Sequence, residues 1–143
     1  MIVRNILKTK GAHVETVEPS AKIADVARIM RQKAIGAVIV LGRDERLLGV
    51  FSERDIVRGI CEYGAAVLDK PVEALMTTEV ISCGLDDTLD DLMERMTNRR
   101  IRHLPVIDKG KLAGLVSIGD VVKCLISETE MEAQALKQYI VTG

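Results

Sequence analysis

The feature that most constrains this chain is a pattern of residues that it contains twice. The stretch GVFSERD at residues 49–55 returns as GLVSIGD at residues 114–120, with Gly, Ser and Asp at the same spacing. When the chain is shifted against itself by about 65 residues, apolar positions such as Ile23, Val26 and Met30 also fall on apolar positions of the second half. The sequence therefore predicts two copies of one supersecondary unit of about sixty residues.

The hydrophobic period changes in the same order within each copy. An extended piece precedes an amphipathic helix with a predicted N-cap at Ser20 or Asp86, two strands then flank a turn, and a second helix closes the copy. The predicted bounds for the first and second copies are 13–17 and 79–83 (extended), 20–33 and 86–99 (helix), 37–41 and 104–107, 47–52 and 112–117 (strands), 53–62 and 118–127 (helix). The predicted order is β-α-β-β-α, which belongs to the α+β class.

A small sheet with helices on one face leaves its other face uncovered, and a unit of this size is only marginally stable alone. We therefore expect the two copies to pack through their sheets about a pseudo-twofold axis, with residues 62–74 as a crossover that Pro71 interrupts. The tail at residues 128–140 has apolar residues on one side and predicts an extra C-terminal helix. The predicted division is 1–65 for repeat 1, 66–127 for repeat 2 and 128–143 for the C-terminal helix.

Charge and composition exclude several classes of function. The formal net charge of −1 and the three aromatic residues supply neither the field nor the stacking surfaces of a nucleic-acid-binding protein. The longest apolar stretch is far shorter than a membrane span, so we expect no membrane association. Three widely spaced cysteines form neither a metal-binding motif nor an even-numbered disulfide framework, and predict a cytoplasmic protein without a bound metal.

The residues of the two motifs, together with RHLPV at 102–106 and its counterpart GAVIV at 36–40, resemble the tandem cystathionine-β-synthase (CBS) domain, or Bateman module, in its stand-alone bacterial form. The resemblance covers residues 3–127. It implies a homodimeric regulatory module that binds an adenine nucleotide (AMP, ATP or NAD) in clefts between the repeats. It also implies a partner protein, which the ligand controls. The alternative is a structural dimerisation module without a ligand.

In this family the aspartate of the motif binds the ribose hydroxyls and the Ser or Thr lies near the phosphate, which implies these roles for Asp55 and Asp120 and for Ser52 and Ser117. The residues themselves leave a second reading open, because Ser followed three positions later by Asp is also the spacing of a capping box. The two roles are compatible, since a helix N-terminus favours a phosphate. Gly49 and Gly114, inside predicted strands, indicate either close approach of another group or a bulge.

Further nucleotide-binding residues are predicted around the motifs. Arg102 and His103 are expected to face phosphate, with a buried, satisfied histidine as the alternative for His103, whereas Gly36 and Ala37 stand there in repeat 1. Arg54 either contacts phosphate or is solvated. The apolar strand residues are either core or part of an adenine sandwich. The remaining predicted site residues are Val14, Thr16, Ile35, Val50, Ile81, Pro105, Leu115 and Gly119.

We expect no catalytic activity and no catalytic cofactor. The chain has two histidines and contains no P-loop, no H-E-x-x-H motif and no nucleophile with an adjacent base in a recognisable motif.

Overall fold

The computed structural model describes residues 1–142, which fall into two compact units. The Asp55 unit comprises His13–Ile81 and Lys109–Leu112. The Asp120 unit comprises Met1–Ala12, Ser82–Asp108 and the chain from Ala113. The units differ from the sequence repeats, because the first twelve residues belong with the second motif. The predicted division at residues 65 and 127 stays a prediction.

The secondary structure alternates between short strands and helices. In chain order the elements are α1 (Val3–Lys10), β1 (Thr16–Val17), α2 (Ile23–Lys33), β2 (Ala37–Leu41), β3 (Leu47–Ser52), α3 (Glu53–Tyr63), α4 (Leu89–Arg99), β4 (His103–Asp108), β5 (Lys111–Ser117) and α5 (Ile118–Thr142). Short 3₁₀ helices occur at Arg43–Glu45, Gly64–Asp69 and Val72–Ala74. The last two occupy the crossover segment on either side of Pro71.

The Asp55 unit is built on a three-stranded sheet in the order β1-β2-β3. Strand β1 runs parallel to β2, and β2 runs antiparallel to β3, with a register irregularity after Val40 that leaves Leu48 without a partner. Apolar residues of α2 at positions 23, 26 and 30 pack with Val38, Val40 and Phe51 to form the buried core. The motif residue Ser52 lies at the end of β3, next to the buried Phe51. Because side chains alternate along a strand, Ser52 lies on the opposite face of the sheet from Phe51.

The start of α2 corrects a prediction. The N-cap is Lys22 rather than Ser20, and the helix begins at Ile23. Lys22 forms an antiparallel bridge with Pro71, the N–H of Ile23 donates to the carbonyl of Lys70, and the N–H of Val72 donates to the carbonyl of Ala21. This pairing holds residues 21 and 22 extended, so the helix cannot begin earlier.

Strand β4 and most of β5 lie in the Asp120 unit. The two strands pair as a hairpin, whose turn residues Lys109 and Gly110 both have positive φ angles. The extended piece predicted at 79–83 is reduced to one parallel bridge between Cys83 and Val106. Helix α4 begins at Leu89 with Thr88 as its N-cap, which corrects the prediction of Asp86. Thr88 and Asp91 form a capping box, and the carboxylate of Asp86 instead lies 3.1 Å from Arg4.

Helix α1 is not anticipated by the sequence analysis. Its apolar residues Val3, Ile6 and Leu7 are buried, and the preceding Ile2 forms an antiparallel bridge with Thr88. This bridge occupies the place in the Asp120 unit that the Lys22–Pro71 bridge occupies in the Asp55 unit. The N-terminal segment therefore completes the second repeat as the crossover segment completes the first.

The two strand glycines make room for these completing segments. A β-carbon at Gly49 would lie 2.7 Å from the carbonyl oxygen of Thr77 and 2.9 Å from the sulfur of Met76. A β-carbon at Gly114 would lie 2.8 Å from a methyl group of Leu7. Close approach therefore explains both glycines, and at Gly49 the strand irregularity lies immediately beside it. The approaching groups belong to the protein itself.

Helix α5 runs without interruption from Ile118 to Thr142. The sequence predicts a helix at 118–127 followed by a separate one, whereas in the structure no break occurs at residue 128. Many large apolar residues of α5 are exposed, among them Val122, Ile126, Leu136 and Tyr139. Within residues 1–142, no helix has both the length and the apolar character that crossing a bilayer requires.

The α+β class, the repeated order of elements and the C-terminal helix are confirmed. The strand β1 and its weaker counterpart at Cys83 are shorter than predicted, because only residues that pair with β2 or β4 adopt sheet geometry.

Candidate functional site

The first motif places Asp55 in the first turn of α3. Its Oδ2 accepts hydrogen bonds from the backbone N–H of Ser52 at 2.9 Å and from the Ser52 hydroxyl at 3.3 Å. Its Oδ1 accepts a hydrogen bond from the guanidinium of Arg58 at 2.7 Å. The Asp55 side chain is only 5% exposed. Both of its oxygens are therefore occupied within the protein, and the capping-box reading is confirmed here.

The second motif has the same Ser–Asp cap as the first, but a different charged residue pairs with the aspartate. Oδ2 of Asp120 accepts from the Ser117 N–H at 2.8 Å and from the Ser117 hydroxyl at 3.0 Å. These bonds leave Oδ1 of Asp120 outside the cap, and the side chain is 21% exposed. This carboxylate thus combines a fixed orientation with one oxygen that can accept hydrogen bonds from a ligand.

Lys10 at the end of α1 is the third group at the second motif. Its ammonium donates to Oδ2 of Asp120 at 2.6 Å and to the carbonyl of Leu115 at 2.7 Å. Burial of Asp120 raises its pKa, but the hydrogen bonds from Lys10 and Ser117 outweigh burial and hold the pKa below its ordinary value. Asp120 is therefore an anion at neutral pH.

The strand that precedes each motif is tied to the start of the closing helix. The carbonyl of Gly36 accepts from the N–H of Glu53 at 3.0 Å, and the carbonyl of Arg102 accepts from the N–H of Ile118 at 2.8 Å. In the first repeat Ala37 pairs with Ser52 across the sheet. These bonds bring Gly36 and Ala37 to the first motif and Arg102 to the second.

The remaining predicted site residues divide between the units. Those in the Asp55 unit are Val14, Thr16, Ile35, Val50, Arg54 and Ile81, and those in the Asp120 unit are His103, Pro105, Leu115 and Gly119. Ile81, which belongs to the second sequence repeat, thus lies in the Asp55 unit. Thr16, Arg54, Arg102 and Gly119 are exposed, and Ala37 and Pro105 are buried. The assignment of all these residues to a nucleotide site stays a prediction.

Two charged residues beside the motifs were missed, although each leaves a signal in the sequence. Arg58 follows Asp55 by three positions, a spacing at which helical side chains meet. Lys10 follows the buried residues Val3, Ile6 and Leu7 at helical spacing, so it lies on the inward face of α1. Recognising α1 as a helix was the step required to find it.

The chemistry available at each motif is that of hydrogen bonding and charge. A carboxylate that is fixed by its cap can accept hydrogen bonds from the vicinal hydroxyls of a sugar, and the helix N-terminus beside it favours an anion. Among the described residues, no three His, Cys, Asp or Glu side chains converge as metal ligands would. The buried Cys83 has its thiol pKa raised to about 12, chiefly by burial, so it is not a nucleophile at neutral pH.

The duplicated β-α-β-β-α order and the capped aspartate at the start of each closing helix define a class of proteins made of paired small α+β repeats. The sequence profile of the CBS domain matches residues 3–62 and 72–127. The chain belongs to the CBS domain family, which confirms the resemblance seen in its motifs.

Solved structures and curated relatives agree with this membership. The CBS-domain containing protein ATU1752 from Agrobacterium tumefaciens is 45% identical, with a TM-score of 0.84 over 85% of this chain and 91% of that one. CBS domain-containing protein CBSX3, mitochondrial, from Arabidopsis thaliana is 32% identical over 99% of this chain and 72% of its own length. The CBS domain protein PAE2072 from Pyrobaculum aerophilum, solved in complex with AMP, is 28% identical, with a TM-score of 0.74 over 84% and 89% of the two chains.

Proposed function

We propose that this chain is a regulatory module that senses an adenine nucleotide and controls a partner protein. The ligand is AMP, ATP or NAD, bound at the capped aspartates, and the module acts as a homodimer in the cytoplasm rather than as an enzyme. The observation that carries the proposal is the Asp120 carboxylate, which is ionised, partly exposed and held through Oδ2, so that Oδ1 lies outside the cap.

The AMP complex of PAE2072 supports an adenine nucleotide as the ligand class. The two motifs differ in how accessible the carboxylate oxygen Oδ1 is to such a ligand. Ribose hydroxyls can reach Oδ1 of Asp120 directly, whereas at Asp55 they must first displace Arg58. We therefore expect the second motif to bind more tightly than the first.

Titration calorimetry with AMP, ATP, NAD and S-adenosylmethionine tests the proposal. We expect saturable binding of at least one of these ligands, and an Asp120→Asn variant should bind it at least tenfold more weakly, since a charge-assisted hydrogen bond contributes about 1.5–3 kcal/mol. Asp69→Asn is the matched control, because Asp69 is exposed and far along the chain from both motifs. Absence of heat with all four ligands at millimolar concentration would refute nucleotide sensing.

A structural dimerisation module without a ligand is the second candidate. The exposed apolar residues of α5, which include Val122, Ile126 and Leu136, favour it, because such side chains commonly mark an interaction surface. Sedimentation of the ligand-free protein separates the two functions. A stable dimer that binds none of the four ligands supports the structural role, and a dimer that binds one supports sensing.

A further inference from the structure

Lys10 makes two contacts, and both go to residues of the second motif. The ammonium lies 2.6 Å from Oδ2 of Asp120 and 2.7 Å from the carbonyl oxygen of Leu115. The Lys10 side chain is two-thirds buried, and its helix is anchored by Val3, Ile6 and Leu7 in the core. The positive charge beside the second motif therefore comes from α1, a packed helix outside the motif.

The contact fixes which carboxylate oxygen is available. Lys10 and Ser117 both donate to Oδ2, so the cap and the ion pair of Asp120 fall on one oxygen. Oδ1 takes part in neither of them. In the first repeat the arrangement is reversed, because Arg58 from the same helix takes Oδ1 of Asp55. Lys123, the counterpart of Arg58, makes no ion pair with Asp120 within the described part of the chain.

We propose that Lys10 is a positioning residue for ribose recognition: by holding Oδ2 of Asp120, it presents Oδ1 to the 2′- and 3′-hydroxyls of the bound nucleoside. This inference rests on the proposed function and adds to it a residue outside the repeated motif. It assigns α1 a part in ligand binding at the second repeat, and it has no counterpart in the first.

The test measures binding of adenosine and of 2′,3′-dideoxyadenosine to the wild type and to Lys10→Met. Loss of Lys10 should weaken adenosine binding about tenfold. It should change binding of the dideoxy compound less than about twofold, because that ligand has no hydroxyl for Asp120 to accept from. Lys8→Met, an exposed lysine of the same helix, is the matched control and should bind both as the wild type does. Lys10→Arg keeps the positive charge and should recover most of the affinity.

The pH dependence of adenosine binding gives a second readout that a merely structural role would not move. The charged or titratable groups facing Asp120 are Lys10 from α1 and Cys124 one turn along α5, and the Cys124 thiol stays neutral because its pKa is raised, chiefly by burial. Without Lys10, burial still raises the pKa of Asp120 and less opposes it. Adenosine binding by Lys10→Met should therefore begin to fall at a higher pH than in the wild type. The dideoxy compound is the control in this experiment, because any pH dependence of its binding reflects protonation of the adenine base and not of Asp120.

The possible outcomes separate this inference from the proposed function. Equal weakening of adenosine and the dideoxy compound, or an unchanged pH profile, would overturn the role of Lys10 while leaving nucleotide sensing intact. A loss that is much larger for AMP than for adenosine would also overturn it, since Lys10 would then contact phosphate. If the wild type bound no adenine ligand at all, the proposed function would fail and the inference with it.

Discussion

At the scale of single residues, the two motif aspartates show how identical caps acquire different properties from one neighbour. Arg58 covers Oδ1 of Asp55, whereas Lys10 shares Oδ2 of Asp120 with the cap. The Arg58 side chain is 54% exposed but its partner Asp55 is only 5% exposed, so the ion pair is partly buried and supplies the donor for Oδ1 of Asp55. Under the proposed function, Arg58 also occupies the oxygen that a ribose would use.

Replacing Arg58 therefore has opposite effects on stability and on ligand access. Arg58→Ala should lower the free energy of unfolding by about 1–3 kcal/mol, because it leaves the buried Oδ1 of Asp55 without a donor. The same change should raise nucleotide affinity at the first motif. Urea denaturation measures the first effect, and calorimetry in an Asp120→Asn background measures the second. Arg28→Ala removes an i,i+3 ion pair in which both side chains are exposed, and this control should change stability by less than about 1 kcal/mol. Weaker binding in Arg58→Ala would show that Arg58 contacts the ligand.

At the scale of elements, helices α2 and α4 end in the same unusual way. Ala34 after α2 and Arg100 after α4 both adopt the left-handed conformation, with φ angles of 54° and 53°. A residue with a β-carbon costs about 1–2 kcal/mol there, and glycine avoids that cost. The repeat has kept the backbone geometry of the helix end without the residue that suits it best.

Ala34→Gly should therefore stabilise the protein. We expect a gain of about 0.5–1 kcal/mol in the free energy of unfolding, the relief of strain being partly offset by the greater freedom of glycine in the unfolded chain. Urea denaturation of the ligand-free protein gives this value. The same substitution inside the helix, Ala27→Gly, should instead destabilise by about 1 kcal/mol. Destabilisation by both changes to a similar degree would mean that Ala34 is not strained.

Strands and helices were predictable where the hydrophobic period is long and regular. The bounds of β2 and β3 were correct to the residue, since Ala37–Leu41 and Leu47–Ser52 are mainly apolar runs bounded by turn signals. The N-caps failed because Lys22 is fixed by Pro71, which lies 49 residues further along the chain. A contact between residues so far apart in the chain cannot be predicted from local helix propensity. Helix α1 was missed because eight residues give a weak periodic signal.

The same reasoning applies to the candidate site. The motif residues and their caps follow from local spacing, so Ser52, Asp55, Ser117 and Asp120 could be found in the sequence. Helical spacing could place Lys10 on the inward face of α1, but not beside Asp120, because that contact spans 110 residues and depends on α1 packing beside Gly114. The asymmetry between the two motifs is thus a tertiary property.

At the scale of the whole molecule, acid should weaken the fold through Asp87 and Asp120. The pKa of Asp87 is lowered, first by the hydrogen bond from Arg95 and then by the Gly84 N–H, and the pKa of Asp120 is also below its ordinary value. A group whose pKa is lower in the folded state stabilises it above the ordinary carboxyl pKa. That contribution is lost as the pH falls from the ordinary value of 3.8 through the folded-state value.

Urea denaturation of the wild type and of Asp87→Asn at pH 7 and at pH 2.5 measures this effect. At pH 7 the variant should be less stable by a few tenths to about 1 kcal/mol, a modest figure because the Arg95 side chain is partly solvated. At the acid pH the difference between the two proteins should be smaller, since this pH is below the ordinary carboxyl pKa and part of the stabilisation by the ionised carboxyl is then lost. Asp69→Asn should show no such convergence. A difference that is the same at both pH values would exclude this ion pair as its source.

The unbroken course of α5 has a mechanical consequence. The helix carries Asp120 in its first turn and extends to Thr142, a length of about 37 Å at 1.5 Å per residue. A tilt of only about 5° at the motif would sweep the far end sideways by about 3 Å, the tangent of that angle times the helix length. A small rearrangement around a sugar bound at Asp120 would therefore produce its largest displacement at the C-terminal end of α5, where a partner protein could detect it most easily.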